Sequence, residues 1–175
     1  MKIAMKTAVA MAILAGSISV ANAAGNGDGE VKFIGSIHEG ACSISPETAN
    51  QTVDLGPIAK NQLAAGGRTN GEPFQIDLEG CDVAALTDKT VTATFTGTED
   101  STIPGSLALT GVASGAGIFM EHGGKVVELG TPTEPQLLQD GRNTLAFNAF
   151  VKGHATTAVV PGAFEAITNF TLAYQ

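Results

Sequence analysis

The chain of 175 residues contains no tryptophan, one tyrosine and only 5% aromatic residues in all. A sugar-binding platform of stacked rings has little to draw on, because the one tyrosine, Tyr174, sits in the closing segment. Histidine is sparse too: His38, His122 and His154 fall in unrelated segments and read as solvated loop or edge residues. The acids Glu99, Asp100 and Glu134 offer no recognisable acid–base pair, so no catalytic constellation emerges, and the chain does not read as an enzyme. Cys42 and Cys81 are the only cysteines, and without a nearby histidine they cannot fill a tetrahedral metal site. The glycine-rich stretch 111–117 lacks the Gly-Lys-Ser/Thr continuation of a phosphate loop. No cofactor is expected. Basic residues number 9 against 17 acidic ones, which excludes a nucleic-acid partner on charge.

What is present begins with an export signal. Lys2 and Lys6 precede an apolar stretch from Thr7 to Val20, and Ala21-Asn22-Ala23 forms a small-x-small cleavage site. Residues 1–23 therefore read as a signal peptide, and the mature protein is expected to start at Ala24. The apolar stretch falls short of the ~20 residues of a membrane span, so the mature protein is expected to be exported and soluble. Losing Lys2 and Lys6 from the 9 basic residues, with all 17 acids retained, shifts the balance to −10. In an exported chain the two cysteines are most simply a disulfide, with metal ligation as the rival reading. Residues 24–175 suit one domain with a sizeable core.

Along this domain short strand-like segments alternate with turn signals, an all-β pattern that suggests a sandwich. Strands are expected near Val31 to Ile37, Cys42 to Ile44, Val53 to Leu55, Phe74 to Leu78, Thr90 to Thr96, Leu107 to Thr110, Gly117 to Glu121, Lys125 to Leu129, Asn143 to Val151 and Ala163 to Ala173. A short helix or irregular loop is expected over Ile58 to Ala65, and a single turn over Cys81 to Leu86. Alternation gives three core faces: Phe74, Ile76 and Leu78; Val91, Ala93 and Phe95; Leu145, Phe147, Ala149 and Val151.

The two ends differ from this pattern. Residues 24–29 contain three glycines, at 25, 27 and 29, and should form a flexible arm. Beyond them Val31, Phe33, Gly35 and Ile37 share one face of an extended chain, with a gap at Gly35 where a partner could approach closely. At the other end Pro161-Gly162 launches a strand whose one face carries Phe164, Ala166, Thr168, Phe170, Leu172 and Tyr174. An apolar strand of this kind invites another strand along its edge.

These residues resemble the major-type subunits of chaperone-usher pili, of the type 1 fimbrial kind. The resemblance is carried by Val31 to Ile37 ahead of Cys42, Val53-Asp54-Leu55-Gly56, Pro73 to Leu78 leading into Cys81, and Gly162, fourteenth from the C-terminus, with Phe170, Leu172 and penultimate Tyr174. It implies an incomplete immunoglobulin-like β-sandwich, the pilin fold, completed by a donor strand from another subunit or a chaperone. It further implies a signal peptide at 1–23, a donor-strand arm at 24–37 and a pilin domain at 38–175. Val31, Phe33, Gly35 and Ile37 would be the donor residues, and Gly162, Phe164, Phe170, Leu172 and Tyr174 the acceptor edge that also binds chaperone. The implied partners are identical or related subunits in a head-to-tail polymer, a periplasmic chaperone and an outer-membrane usher. The implied location is a fimbrium on the bacterial surface, reached through the periplasm, where it supports adhesion. The alternatives are a minor or adaptor pilus subunit and a carbohydrate-binding fimbrial adhesin.

Overall fold

The computed structural model describes residues 29–37 and 39–175. The expected signal peptide, residues 24–28 of the expected arm and His38 lie outside the described residues. The chain divides into two units, Met1–Ile37 and His38–Gln175. In the first, residues 29–37 are exposed and adopt no regular structure. The strand expected at Val31 to Ile37 is therefore absent, since an extended segment becomes a strand only when another pairs with it.

Among the described residues the second unit is built from eleven strands, of which β2 (Glu72–Cys81), β3 (Thr90–Gly97) and β9 (Gly141–Gly153) are the longest. One six-stranded sheet runs β1 (Ser43–Ile44), β2, β9, β6 (Ala116–His122), β4 (Leu107–Ala108), with β7 (Lys125–Val127) also on β6. A second sheet runs β11 (Thr168–Tyr174), β3, β8 (Gln136–Leu137), and β5 (Thr110–Gly111) pairs with β10 (Phe164–Glu165). Helical structure is slight: α1 (Pro46–Ala49) and a 3₁₀ segment at Lys60–Gly66, the latter where a short helix is expected.

The three alternating faces form the core. Ile76, Leu78, Leu145, Phe147 and Val151 from the large sheet meet Val91, Ala93 and Phe95 from β3, all buried. Four rings tie the sheets together. Phe147 stacks on Phe74 at 5.2 Å and meets Phe95 edge-on at 5.1 Å, and Phe95 lies 6.1 Å from Phe170 of β11. Such pairs each add about 0.5–1.5 kcal/mol beyond the area they bury.

Phe119 of β6 and Phe150 of β9 lie outside that core, stacked on each other at 5.6 Å and buried. The Arg68 guanidinium covers Phe150 at 4.8 Å and the Lys152 ammonium lies 5.7 Å over Phe119. Both faces of β6 are therefore covered, which explains why it reads as a continuous apolar run.

Cys42 and Cys81 form a disulfide across 39 residues of sequence and both are buried, so neither thiol is free to hold a metal. The bond fixes the start of β1 to the end of β2. Replacing both cysteines by alanine should lower the unfolding free energy by about 4 kcal/mol on the chain-entropy model. Denaturant titration of the purified chain against the variant measures the difference.

Two histidines depart from their sequence reading. His154 is not solvated: its side chain is 7% exposed, and Nε2 donates to Asp100 Oδ2 at 3.1 Å. Its Nδ1 is buried without a partner. Burial alone would raise the Asp100 carboxyl, but backbone N–H groups of Thr102 and Ile103, with His154, outweigh it and hold it below its ordinary value. The 99–106 loop is thereby pinned to the end of β9. A depressed folded pKa contributes stability above the unfolded value of about 3.9 and loses it as pH falls through the folded value. The stability gap between the wild-type chain and Asp100→Asn should accordingly be constant near neutrality and close below about pH 4, as acid titration of the melting temperature would show. His122 is neither solvated nor at a sheet edge: it ends β6 half-buried, paired with Phe147 of β9 on one side and Lys125 of β7 on the other, its ring 4.8 Å from that of Phe147 and Nδ1 2.8 Å from Ala146 O.

Candidate strand-acceptor groove

The closing segment changes partners midway. Phe164–Glu165 pairs with β5, then from Thr168 the chain pairs with β3, Thr168 opposite Gly97 and Tyr174 opposite Val91. The single strand expected from Ala163 to Ala173 is thus two, broken at Ala166-Ile167. The segment beginning at Leu107 does the same: β4 pairs with β6 and β5 with β10, with Leu109 between them.

β11 is an edge strand. It pairs with β3 along its whole length, and among the described residues no strand pairs with its other side. Its alternation is complete: Phe164, Ala166, Thr168, Phe170, Leu172 and Tyr174 are half-buried, while 163, 165, 167, 169, 171 and 173 are exposed. The inward row packs on the core yet keeps much of its apolar surface in water. Burial pushes the Tyr174 phenol above its ordinary pKa.

A second unpaired stretch packs on the same core. Residues 51–59 form no ladder, contrary to the strand expected at Val53 to Leu55, although Val53, Leu55 and Ile58 turn inward as half-buried apolar residues. Ile58 and Phe164 line one apolar cavity of about 80 Å³, together with Leu63, Leu109, Ala116 and Val159. The cavity lies where both chain segments change partners, because switching strands cannot close the sheet edge over the core. It is a pocket for one branched aliphatic side chain.

Gly162 forms part of this cavity's rim. A Cβ there would stand 2.8 Å from Val112 Cβ and 2.9 Å from Ala113 N, so only glycine lets the two chains pass. Its backbone is not in the left-handed region, and close approach alone accounts for the residue. Gly162 and Phe164 line the cavity, while Phe170, Leu172 and Tyr174 follow on the inward row of β11. Val31, Phe33 and Ile37 belong to the other unit, 74%, 90% and 104% exposed. Sequence reasoning gives no site role to Ile58, Leu109 or Val159: Leu109 falls within an expected strand, and Ile58 and Val159 are apolar residues in loop-like stretches.

The fold is an open β-sandwich whose last strand leaves one edge unpaired beside a half-buried apolar row, the arrangement of an immunoglobulin-like pilin domain. Comparison with known proteins agrees. The family model described as fimbrial protein matches residues 31–175. The chain is 46% identical to the major MR/P fimbria protein of Proteus mirabilis, covering 99% of this chain and 98% of that one. It is 37% identical to the Pap fimbrial major pilin protein of Escherichia coli over 96% of each chain. Among solved structures, a chaperone-usher pilus subunit superposes with a TM-score of 0.79 at 34% identity, over 86% of this chain and 97% of that one. The P pilus rod subunit PapA gives 0.71 at 34% identity, over 78% of this chain and all of that one, 100%. The chain belongs to the fimbrial protein family and is a structural subunit of a surface pilus, with the immunoglobulin-like pilin fold.

Proposed function

We propose that the groove is filled by the arm of another copy, with Val31, Phe33, Gly35 and Ile37 entering beside β11, and that a periplasmic chaperone holds the place before an outer-membrane usher directs the exchange. The observation that carries this reading is the free edge of β11 with its half-buried apolar row. Strand addition supplies ladder hydrogen bonds for affinity and alternating side chains for register, and donor-strand complementation of pilins is an established case of it. On this reading residues 1–23 are removed on export and residues 24–37 are the donor arm.

Antiparallel pairing is the more stable per residue, and it directs the arm's C-terminal end to the start of β11. Ile37 then reaches the cavity beside Phe164. Burying Val31, Phe33 and Ile37 contributes roughly 1.5–3 kcal/mol each, added to the new ladder of backbone bonds. One arm and one groove per copy make a heterologous contact, which grows as an open filament. The role is structural: the filament carries adhesion, and the subunit needs no catalytic group.

Deleting residues 24–37 from the chain, exported with its own chaperone and usher, should abolish filaments in electron micrographs. Filaments of normal length from this variant would refute donation by the arm.

A further inference from the structure

β9 runs the length of the sandwich and marks two poles. At the first, Gly141 pairs with Cys81 beside the disulfide, and Asp140 accepts the Val83 N–H at 3.0 Å. Glu39, Asp82 and Asp140 are exposed there, and so are Ala84 and Ala85 of the neighbouring turn. Arg142, adjoining this pole, is already engaged with Glu79 at 3.6 Å. At the second pole Gly153 pairs with Ala116 and lies against Leu63, so the cavity opens here. Val112 and Val160 stand beside it, 73% and 46% exposed, and exposed Lys60 is the only charged residue lining the cavity.

Only His38, Glu39, Gly40 and Ala41 separate Ile37 from Cys42. Five Cα steps of at most about 3.6 Å hold Cys42 within roughly 18 Å of Ile37. An arm whose Ile37 fills one copy's cavity therefore brings its own disulfide pole against that copy's cavity pole. The meeting surfaces match in charge and in apolar content.

We propose that Lys60, Val112 and Val160 form the docking surface for the body of a second copy, receiving its Glu39, Asp82 and Asp140 with Ala84 and Ala85. This rests on the strand-acceptor reading and on the antiparallel direction of the arm. Buried together, the two valines and the alanines remove an exposed apolar patch, while Lys60 meets acids across the junction. The contact fixes the angle between successive subunits, which a strand held in a groove by a four-residue tether would leave free.

The test uses the full chain assembled into filaments with its secretion machinery. Ala85→Cys combined with Val160→Cys should give a ladder of covalent multimers after denaturation without reductant. Ala85→Cys combined with Leu137→Cys, whose leucine is 73% exposed on β8, across β3 from the Tyr174 end of β11, should give none. Because added cysteines can disturb the native disulfide, a charge swap provides a second readout. Lys60→Glu should shorten or deplete filaments, and Lys60→Glu with Glu39→Lys should restore them. Filaments that give no ladder through Val160→Cys and ignore Lys60→Glu overturn the docking surface and leave strand donation standing. A ladder through Leu137→Cys overturns it as well, since the arm would then run parallel to β11. Filaments that survive deletion of residues 24–37 overturn strand donation itself.

Discussion

A single carboxylate in the arm, Phe33→Asp or Ile37→Asp, should eliminate filaments while leaving the subunit body folded. Both side chains are exposed in the subunit, at 90% and 104%, so the substitution costs the free subunit almost nothing. In the groove the Phe33→Asp carboxylate would be dehydrated along the inward row of β11 with no cation there to pair with, and the Ile37→Asp carboxylate would enter an apolar cavity whose one charged lining residue, Lys60, stays exposed. An unpaired buried charge costs several kcal/mol, and about 1.5–3 kcal/mol of apolar burial is lost with it. The combined penalty is comparable with the whole gain from the arm. Size-exclusion chromatography should show a monomer of unchanged circular dichroism where the wild type shows multimers. Filaments of ordinary length from either variant would mean that these side chains do not enter the groove.

The second large effect is directional. Leu172→Asp should prevent a subunit from accepting an arm without preventing it from donating one. Leu172 is half-buried, so a carboxylate there can stay hydrated while the groove is open and is stranded only when a donor closes over it. The arm-deleted chain is the converse, able to accept and unable to donate. Each variant alone should remain monomeric, and an equimolar mixture should stop at a heterodimer, because a head-to-tail contact with one free arm and one free groove leaves no way to extend. Multi-angle light scattering distinguishes the outcomes. Longer species from the mixture would require a second contact able to propagate the chain.

Much of this arrangement is legible in the sequence because it depends on period-two alternation. Phe74, Ile76 and Leu78, the three residues of β3 and the four of β9 are read correctly as core, and the inward row from Phe164 to Tyr174 is half-buried throughout. The pairing of Cys42 with Cys81 follows from there being only two cysteines in an exported chain. Illegible features are those that depend on partners. Val53 and Leu55 have the pattern of a strand, but among the described residues no strand pairs with them, and the same holds for Val31 to Ile37. Alternation continues through Ala166-Ile167 and through Leu109, so the partner switches that open the cavity leave no mark on it. His154 looks like a loop histidine until Asp100, 54 residues away, is seen beside it.

The most direct measurement is the structure of the assembled filament. Density for Val31 to Ile37 of one copy is expected antiparallel to β11 of the next, with Ile37 in the cavity lined by Ile58, Leu109 and Phe164 and the free edge of β11 fully paired. A filament in which that groove is empty, or is occupied by the subunit's own arm, would contradict strand donation between copies.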